Sequence, residues 1–172
     1  MLRRRQSIKQ MTALAAAPLL FKTNPLHAQG VGQKLVLFPA PLLSGGLLAP
    51  SDFDKKVTLL YSWASWCPFC LRDLPALREK FDEHKDKGFI VLGLNLDKDP
   101  DLALKWIATY KVNFPSIRLT AEYQQAYMPK RVVTPAWWLT NRDGMVIDSS
   151  AGNGAEFIYR NRTLQIDKAV NS

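Results

Sequence analysis

Residues 57–70 read Val57-Thr58-Leu59-Leu60-Tyr61-Ser62-Trp63-Ala64-Ser65-Trp66-Cys67-Pro68-Phe69-Cys70. The first half of this segment is an apolar run, which predicts a strand buried at the centre of a covered sheet. Pro68 predicts the start of a helix, because its fixed φ angle and missing N–H suit a first helical position. Cys67 and Cys70 are the chain's two cysteines. A Cys-x-x-Cys pair at a strand-to-helix junction predicts a dithiol that cycles between the reduced and the disulfide form.

The two sulfurs are predicted to have different roles. If the helix begins at Pro68, Cys67 is its N-cap, where unpaired backbone N–H groups and the helix dipole favour a thiolate. Cys70 lies one turn further on, so its sulfur is on the same face at about the Cα separation that a disulfide requires. We therefore expect Cys67 to attack as the nucleophile and Cys70 to resolve the mixed disulfide.

A cysteine pair can serve other purposes. Four-coordinate zinc needs two more Cys or His ligands, and the chain's histidines are only His27 and His84. A structural bridge across so short a loop restricts the unfolded chain little, and so stabilises little. We expect no metal site. A protein that transfers Cu(I) through its two thiolates is the alternative from a different class, although no third His or Met lies near the motif.

Residues 62–77 resemble the active-site segment of thioredoxin-fold proteins, specifically the TlpA/ResA-like periplasmic thiol-disulfide oxidoreductases. Three later features resemble the same family. Residues 89–97 and the helical stretch after them resemble its central strand-helix insert, Thr134-Pro135 resembles its cis-proline loop, and residues 141–144 resemble the hairpin between its last two strands. The resemblance covers about residues 36 to 170.

This resemblance implies an α/β thioredoxin fold, in which a mixed central sheet is flanked by helices, with a central strand-helix insert and an N-terminal β-hairpin. The residues themselves predict this hairpin over residues 42–48, where Ser44-Gly45-Gly46 supplies the tight turn. Asp99 predicts the N-cap of a helix with an apolar stripe of Leu102, Trp106 and Tyr110. Further strands are predicted over residues 89–96, 116–119, 136–140 and 145–149, and a closing helix over residues 153–170.

The chain departs from thioredoxin at one position that matters for proton transfer. Thioredoxin carries a buried Asp six residues before the first active-site Cys, and this chain has Tyr61 there. The TlpA-like proteins instead place an acid, usually Glu, three residues after the second Cys, where this chain has Asp73. Asp73 is thus the candidate proton acceptor for Cys70, and partial burial would raise its pKa towards the useful range. The alternative is a solvated Asp that only complements the helix dipole.

The resemblance also implies a surface that meets substrate. A cis bond at Thr134-Pro135 would pack this loop against the dithiol and leave the backbone of Thr134 to pair with an extended substrate. The alternative is a trans proline at a strand edge. Trp66, Pro68 and Phe69 are the other candidate substrate-binding residues, as the apolar surroundings of the sulfurs.

The remaining tryptophans are expected to be structural. Trp63 lies on the first buried strand and is predicted to be in the core. Trp137 and Trp138 follow one another on a strand, so one is expected to face inward and the other outward.

The residues between the cysteines bear on the direction of electron transfer. Strong oxidants of the DsbA type carry His there, which stabilises the reduced form, whereas Phe69 supplies no positive charge. The resemblance therefore implies a reductase of disulfides in exported proteins such as apocytochromes c, with electrons from a membrane donor of the DsbD or CcdA type. A disulfide-donating oxidase is the alternative. We expect no cofactor, because the dithiol itself carries both electrons. We also expect a monomer.

Residues 1–28 have the layout of an export signal, with Arg3-Arg4-Arg5, Lys9 and Lys22, no acid, and the weakly apolar stretch 11–21. The paired arginines resemble a twin-arginine signal. Cleavage after residue 28 would leave a periplasmic thioredoxin-like domain over residues 29–172; an uncleaved anchor is the alternative. Without the signal's cations the net charge falls from +8 to +3, and no basic stripe or phosphate loop remains, so no nucleic-acid partner is expected.

Overall fold

The computed structural model describes residues 30–152 and 163–172 of the 172-residue chain. The predicted export signal, residues 1–28, lies outside the described residues. So does the first part, residues 153–162, of the predicted closing helix.

A five-stranded mixed sheet forms the centre of the molecule, with strands in the order β5-β4-β3-β6-β7. Strands β3, β4 and β5 are parallel, whereas β6 is antiparallel to β3 and to β7. The strands are β1 Ala40–Pro41, β2 Leu47–Leu48, β3 Val57–Trp63, β4 Phe89–Asn95, β5 Ser116–Arg118, β6 Ala136–Thr140 and β7 Val146–Ala151, and the helices are α1 Pro68–His84, α2 Pro100–Thr109, α3 Ala121–Tyr127 and α4 Thr163–Asn171.

Both faces of the sheet are covered, which explains the continuous apolar runs of the central strands. On one face Leu59, Tyr61 and Trp63 pack against α1, α2 and α4. On the other face Leu60 and Leu92 pack against α3 and the N-terminal segment. Every residue of β3 is buried, so the strand leading to the dithiol is fixed in the core.

The predicted N-terminal hairpin is present, because β1 pairs with β2 in antiparallel fashion. Gly45 and Gly46 have φ angles of 93° and 87° in its turn, a conformation that glycine adopts without steric cost. Leu42 bridges to Ile117 of β5 and attaches the hairpin to the edge of the sheet.

Helix α1 begins at Pro68 with Cys67 as its N-cap, as the sequence predicts. Its buried face carries Cys70, Asp73, Leu74 and Leu77, which follow the spacing of a helix that packs one stripe against a sheet. The register of this stripe brings the second cysteine and the nearby carboxylate into the interior.

Helix α2 begins after Asp99, whose carboxylate accepts a hydrogen bond of 2.9 Å from the N–H of Asp101. The predicted stripe is wrong at its start, because Leu102 is exposed and the residue buried in the core is Ala103. The packed face consists of Ala103, Trp106, Ile107 and Tyr110, so the prediction holds for Trp106 and Tyr110 and fails for Leu102. Trp106 and Tyr110 are half-buried and stack on each other.

The prediction that one of Trp137 and Trp138 faces outward is also wrong. Both are buried, Trp137 in the core beneath α1 and α4 and Trp138 in the core on the opposite face, where its ring lies 4.9 Å from that of Tyr127. Alternation places them on opposite faces of the sheet, and neither face of β6 is open to solvent. Among the described residues, no helix has the length and apolarity needed to cross a membrane.

Candidate active site

The dithiol lies at the N-terminus of α1, where Cys67 and Cys70 form a disulfide with a Cα separation of 5.3 Å. Cys67 Sγ accepts a hydrogen bond of 3.3 Å from the N–H of Cys70, as an N-cap side chain does. Cys67 is 4% exposed and Cys70 is 0% exposed. The sulfur at the helix end is thus the outer one, and the other is shielded by the fold.

The loop before β6 closes over Cys70. The Thr134–Pro135 peptide bond is cis, and Thr134 Oγ1 lies 3.1 Å from Cys70 Sγ. The same hydroxyl donates to the carbonyl oxygen of Ser62 at 3.0 Å. Because its proton is directed at Ser62, the Thr134 oxygen can accept a hydrogen bond from the Cys70 thiol once the disulfide is reduced.

Ser62, at the end of β3, ties this loop to the sheet. Its hydroxyl donates to the carbonyl oxygen of Val133 at 3.1 Å and accepts from the N–H of Ala136 at 2.7 Å. The backbone on both sides of Pro135 is therefore held beside the dithiol. Among the described residues, neither the N–H nor the C=O of Thr134 itself has a backbone partner, which leaves both able to pair with an incoming chain.

Asp73 is buried, so the alternative of a solvated first-turn carboxylate is wrong. Its Oδ2 accepts a hydrogen bond of 2.7 Å from the hydroxyl of Tyr61. Burial raises the pKa of Tyr61 well above its ordinary value, and the charge and hydrogen bond of Asp73 raise it further. The phenol therefore stays protonated and donates to the carboxylate. Tyr61 occupies the position at which thioredoxin carries its acid, and here it contacts the acid from the neighbouring helix.

Sequence reasoning missed a second buried carboxylate at this edge of the sheet. Asp97 follows β4 and accepts hydrogen bonds from the N–H of Ser65, at 3.1 and 3.0 Å, and from its hydroxyl at 2.9 Å. Asn95 Nδ2 donates to the same carboxylate at 2.8 Å. The available signal was an Asn-x-Asp sequence at the carboxyl end of a parallel strand, where binding loops gather. Asp97 fixes the loop that leads into Trp66 and Cys67.

Trp66, Pro68 and Phe69, the predicted substrate-binding residues of the motif, are all exposed beside the sulfurs. The guanidinium carbon of Arg72 lies 4.9 Å from the centre of the Phe69 ring, in cation–π contact. The structure thus places a positive charge beside the motif, although the residues between the cysteines carry none.

Within the described part of the chain, one cluster has the composition of a metal site, formed by Glu83, His84 and Asp167. Lys80 Nζ lies 2.6 Å from Glu83 Oε2 and 3.5 Å from Asp167 Oδ1. His84 Nε2 lies 2.8 Å from Asp167 Oδ1. An ammonium group already supplies the positive charge here, so the cluster is an ion-pair network that joins α1 to α4.

Comparison with known proteins agrees with this geometry. The family model described as the AhpC/TSA family matches residues 31–150. The thiol-disulfide oxidoreductase ResA of Bacillus thuringiensis subsp. konkukian is 28% identical over 124 residues, which are 71% of this chain and 70% of that protein. The thiol:disulfide interchange protein DsbE of Pseudomonas fluorescens biotype C is 30% identical over 86 residues, 49% of this chain and 46% of that protein.

A solved structure from Chlorobium tepidum, provisionally named thiol:disulfide interchange protein DsbE, superposes with a TM-score of 0.70 at 26% identity. The superposed region includes 83% of this chain and 99% of the Chlorobium chain. These matches confirm the family resemblance seen in residues 62–77 and the thioredoxin-like fold.

Proposed function

Because the chain belongs to the AhpC/TSA family, whose thioredoxin-like fold it shares, we propose that it is a protein thiol-disulfide oxidoreductase of the ResA and DsbE kind. One observation carries this proposal. Cys67 caps the N-terminus of α1 and is the slightly more exposed residue of the pair, at 4% against 0%, while Cys70 lies against the hydroxyl of Thr134. The first position favours a reactive thiolate, and the second keeps a resolving thiol in reserve.

In the reducing direction the Cys67 thiolate attacks one sulfur of a client disulfide. A bond forms between Cys67 and that sulfur, and the other client sulfur leaves as a thiolate and takes up a proton. Cys70 then loses its proton and attacks Cys67 Sγ, which breaks the mixed disulfide and releases the reduced client. Two electrons have passed from the dithiol to the client, and the protein carries the Cys67–Cys70 disulfide.

Asp73 is the proposed acceptor of the Cys70 proton. It lies three residues after Cys70 on the same buried stripe of α1. A carboxylate in the core can take up a proton there because burial favours its neutral form. Thr134 and Pro135 are proposed to bind the client backbone, and Trp66, Pro68 and Phe69 its side chains.

We propose that the protein acts in the periplasm after export by its N-terminal signal. Its clients would be disulfides in exported proteins, apocytochromes c among them. Reduction in an oxidising compartment needs electrons from outside it, and a membrane donor of the DsbD or CcdA type is proposed to supply them. The family match and the absence of a positive charge at Phe69 support the reducing direction.

A specific contact favours the opposite direction as a second candidate. Arg72 holds its guanidinium over Phe69, one turn into α1. A cation near the dithiol stabilises the thiolate, and therefore the reduced form, which makes a protein a better disulfide donor. A measured reduction potential separates the two: a value near that of DsbA identifies an oxidase, and a value near that of thioredoxin identifies a reductase.

Trapping of clients tests the proposal directly. With Cys70 replaced by Ser, the mixed disulfide at Cys67 has no resolving thiol, so exported proteins should accumulate on the variant. The matched variant Cys67→Ser should capture none, because Cys70 is fully buried and lacks the N-cap position that favours a thiolate at Cys67. Equal capture by both variants, or faster alkylation of Cys70 than of Cys67 in the reduced protein, would contradict the assigned roles.

A further inference from the structure

Two segments with exposed side chains adjoin the dithiol: residues 66–69, which include Cys67, and residues 129–132, which precede the Thr134 that contacts Cys70. Together they are named the dithiol rim. Among large apolar side chains of the rim, Trp66 is 64% exposed, Val132 is 40% exposed and Phe69 is 38% exposed. Exposed apolar side chains grouped around a reactive centre mark a surface that contacts other molecules. The rim is thus the place where a client chain would lie.

The rim carries positive charge and no acid. Lys130 and Arg131 are adjacent and exposed. Two carboxylates lie close to the motif, Asp73 three residues after Cys70 and Asp97 in hydrogen bonds with Ser65, and both are buried. Neither presents a carboxylate to an incoming chain.

The adjoining start of α2 is of mixed sign and does not cancel this asymmetry. Lys98 stands beside Asp99 and Asp101. Arg118 donates to the carbonyl oxygen of Lys98 at 2.9 Å, so two cations accompany the two acids in this group. The excess charge beside the cis-proline loop is therefore that of Lys130 and Arg131.

This inference rests on the proposed function: we propose that the dithiol rim selects clients that carry acidic residues close to their disulfide cysteine. Arg131 precedes Thr134 by three residues, and an extended chain spans at most about 3.5 Å per residue. A client paired with Thr134 thus meets Arg131 and Lys130 within roughly two to four residues of that point. Arginine suits such a contact, because its guanidinium binds a carboxylate with two parallel hydrogen bonds.

The experiment compares two disulfide-bonded peptides that are identical except for Glu or Lys residues on both sides of each cysteine. The small neutral substrate 2-hydroxyethyl disulfide serves as the reference. Second-order rate constants for oxidation of the reduced protein are measured at about 20 mM and about 300 mM salt, since the second condition screens exposed charges. The wild type, the double variant Lys130→Glu with Arg131→Glu, and a control double variant are compared.

The control is Lys34→Glu with Lys168→Glu, which makes the same change in net charge at exposed positions. Lys34 bridges to Met145, at the end of β6 opposite to Thr134. Lys168 lies on α4. Neither lysine belongs to the dithiol rim, so a general effect of net charge would appear in both double variants.

For the wild type at low salt we expect the rate constant for the Glu peptide to exceed that for the Lys peptide about tenfold. Lys130 and Arg131 would each form an exposed ion pair with the first peptide and would repel the second. The preference should disappear at high salt, invert in the rim variant and persist in the control variant. Equal rates for the two peptides in the wild type would overturn the inference, as would a preference that both double variants retain. The neutral disulfide separates the two possible failures. If it also fails to react, the proposed function itself is wrong. If it reacts normally while the two peptides show equal rates, only the proposed client selection is wrong.

Discussion

The buried contact between Tyr61 and Asp73 allows the proposed proton transfer to be tested with both cysteines in place. The change Tyr61→Phe removes the hydroxyl that donates to Asp73 Oδ2 at 2.7 Å and leaves the ring in the core. Because the pKa of Tyr61 is raised well above its ordinary value, this hydroxyl is a donor throughout the neutral range. Its loss destabilises the ionised carboxylate, so Asp73 should keep its proton to higher pH in the variant.

The size of the effect follows from the hydrogen bond. A hydrogen bond to a charged group contributes about 1.5–3 kcal/mol, and about 1.4 kcal/mol corresponds to one pKa unit. If Asp73 must be ionised to accept the Cys70 proton, resolution of the mixed disulfide should begin about one to two pH units higher in Tyr61→Phe. In Asp73→Asn this titration should be absent from the profile.

The assay follows the resolution of a preformed mixed disulfide at Cys67 as a function of pH. Tyr127→Phe is the matched control, because it also deletes a buried phenol, one that hydrogen-bonds to the backbone of Val36 on the opposite face of the sheet. Its profile should coincide with that of the wild type. If Tyr61→Phe leaves the profile in place, or if Tyr127→Phe moves it equally, the reasoning about Asp73 is refuted.

Three further predictions concern stability. An alanine Cβ at Gly93 would collide with the Ser116 side chain. Gly93→Ala should therefore destabilise the fold by about 1–3 kcal/mol in urea denaturation. Removal of the Ser116 hydroxyl in the same variant should recover part of this loss. Asp97→Ala should cost about 3 kcal/mol, because the part-buried N–H and hydroxyl of Ser65 and the buried amide of Asn95 lose their acceptor, and Ser65→Ala should cost less, about 1 kcal/mol. Burial raises the pKa of Tyr127, so the native state binds the phenolic proton more tightly than the unfolded chain does. The resulting stabilisation is complete below about pH 10 and is lost above it, at up to about 1.4 kcal/mol per pH unit. Tyr127→Phe should flatten this decline of the unfolding free energy with pH.

The elements that sequence reasoning predicted are those whose cause is local. The apolar run of β3 and the Cys67-Pro68 start of α1 can be read from adjacent residues, and the structure has both at the predicted positions. Helix α3 was missed, because it has seven residues and little periodicity. The contacts that fix it are distant in the chain, since the hydroxyl of Tyr123 donates to the carbonyl oxygen of Phe38 and that of Tyr127 to the carbonyl oxygen of Val36.

The site was predicted in part for the same reason. The proposed roles of Cys67 and Cys70 rest on one turn of helix, but the contacts around them depend on the sheet. Parallel pairing aligns Trp63 with Asn95, and only this register brings Asp97 to the loop after β3. The Tyr61 contact likewise requires the packing of α1 on β3, which a single sequence does not specify.

The charges of the dithiol rim join client selection to redox direction. Lys130 and Arg131 would attract an acidic client, and the same charges favour a Cys67 thiolate and with it the reduced form of the protein. A rim that binds acidic clients better therefore makes a weaker reductant. Burial of Cys70 acts in the opposite sense, because loss of water around a buried sulfur disfavours a thiolate there. Under these proposals the outer charges would decide which client is attacked and how readily Cys67 ionises, and the inner contacts would decide when that client is released.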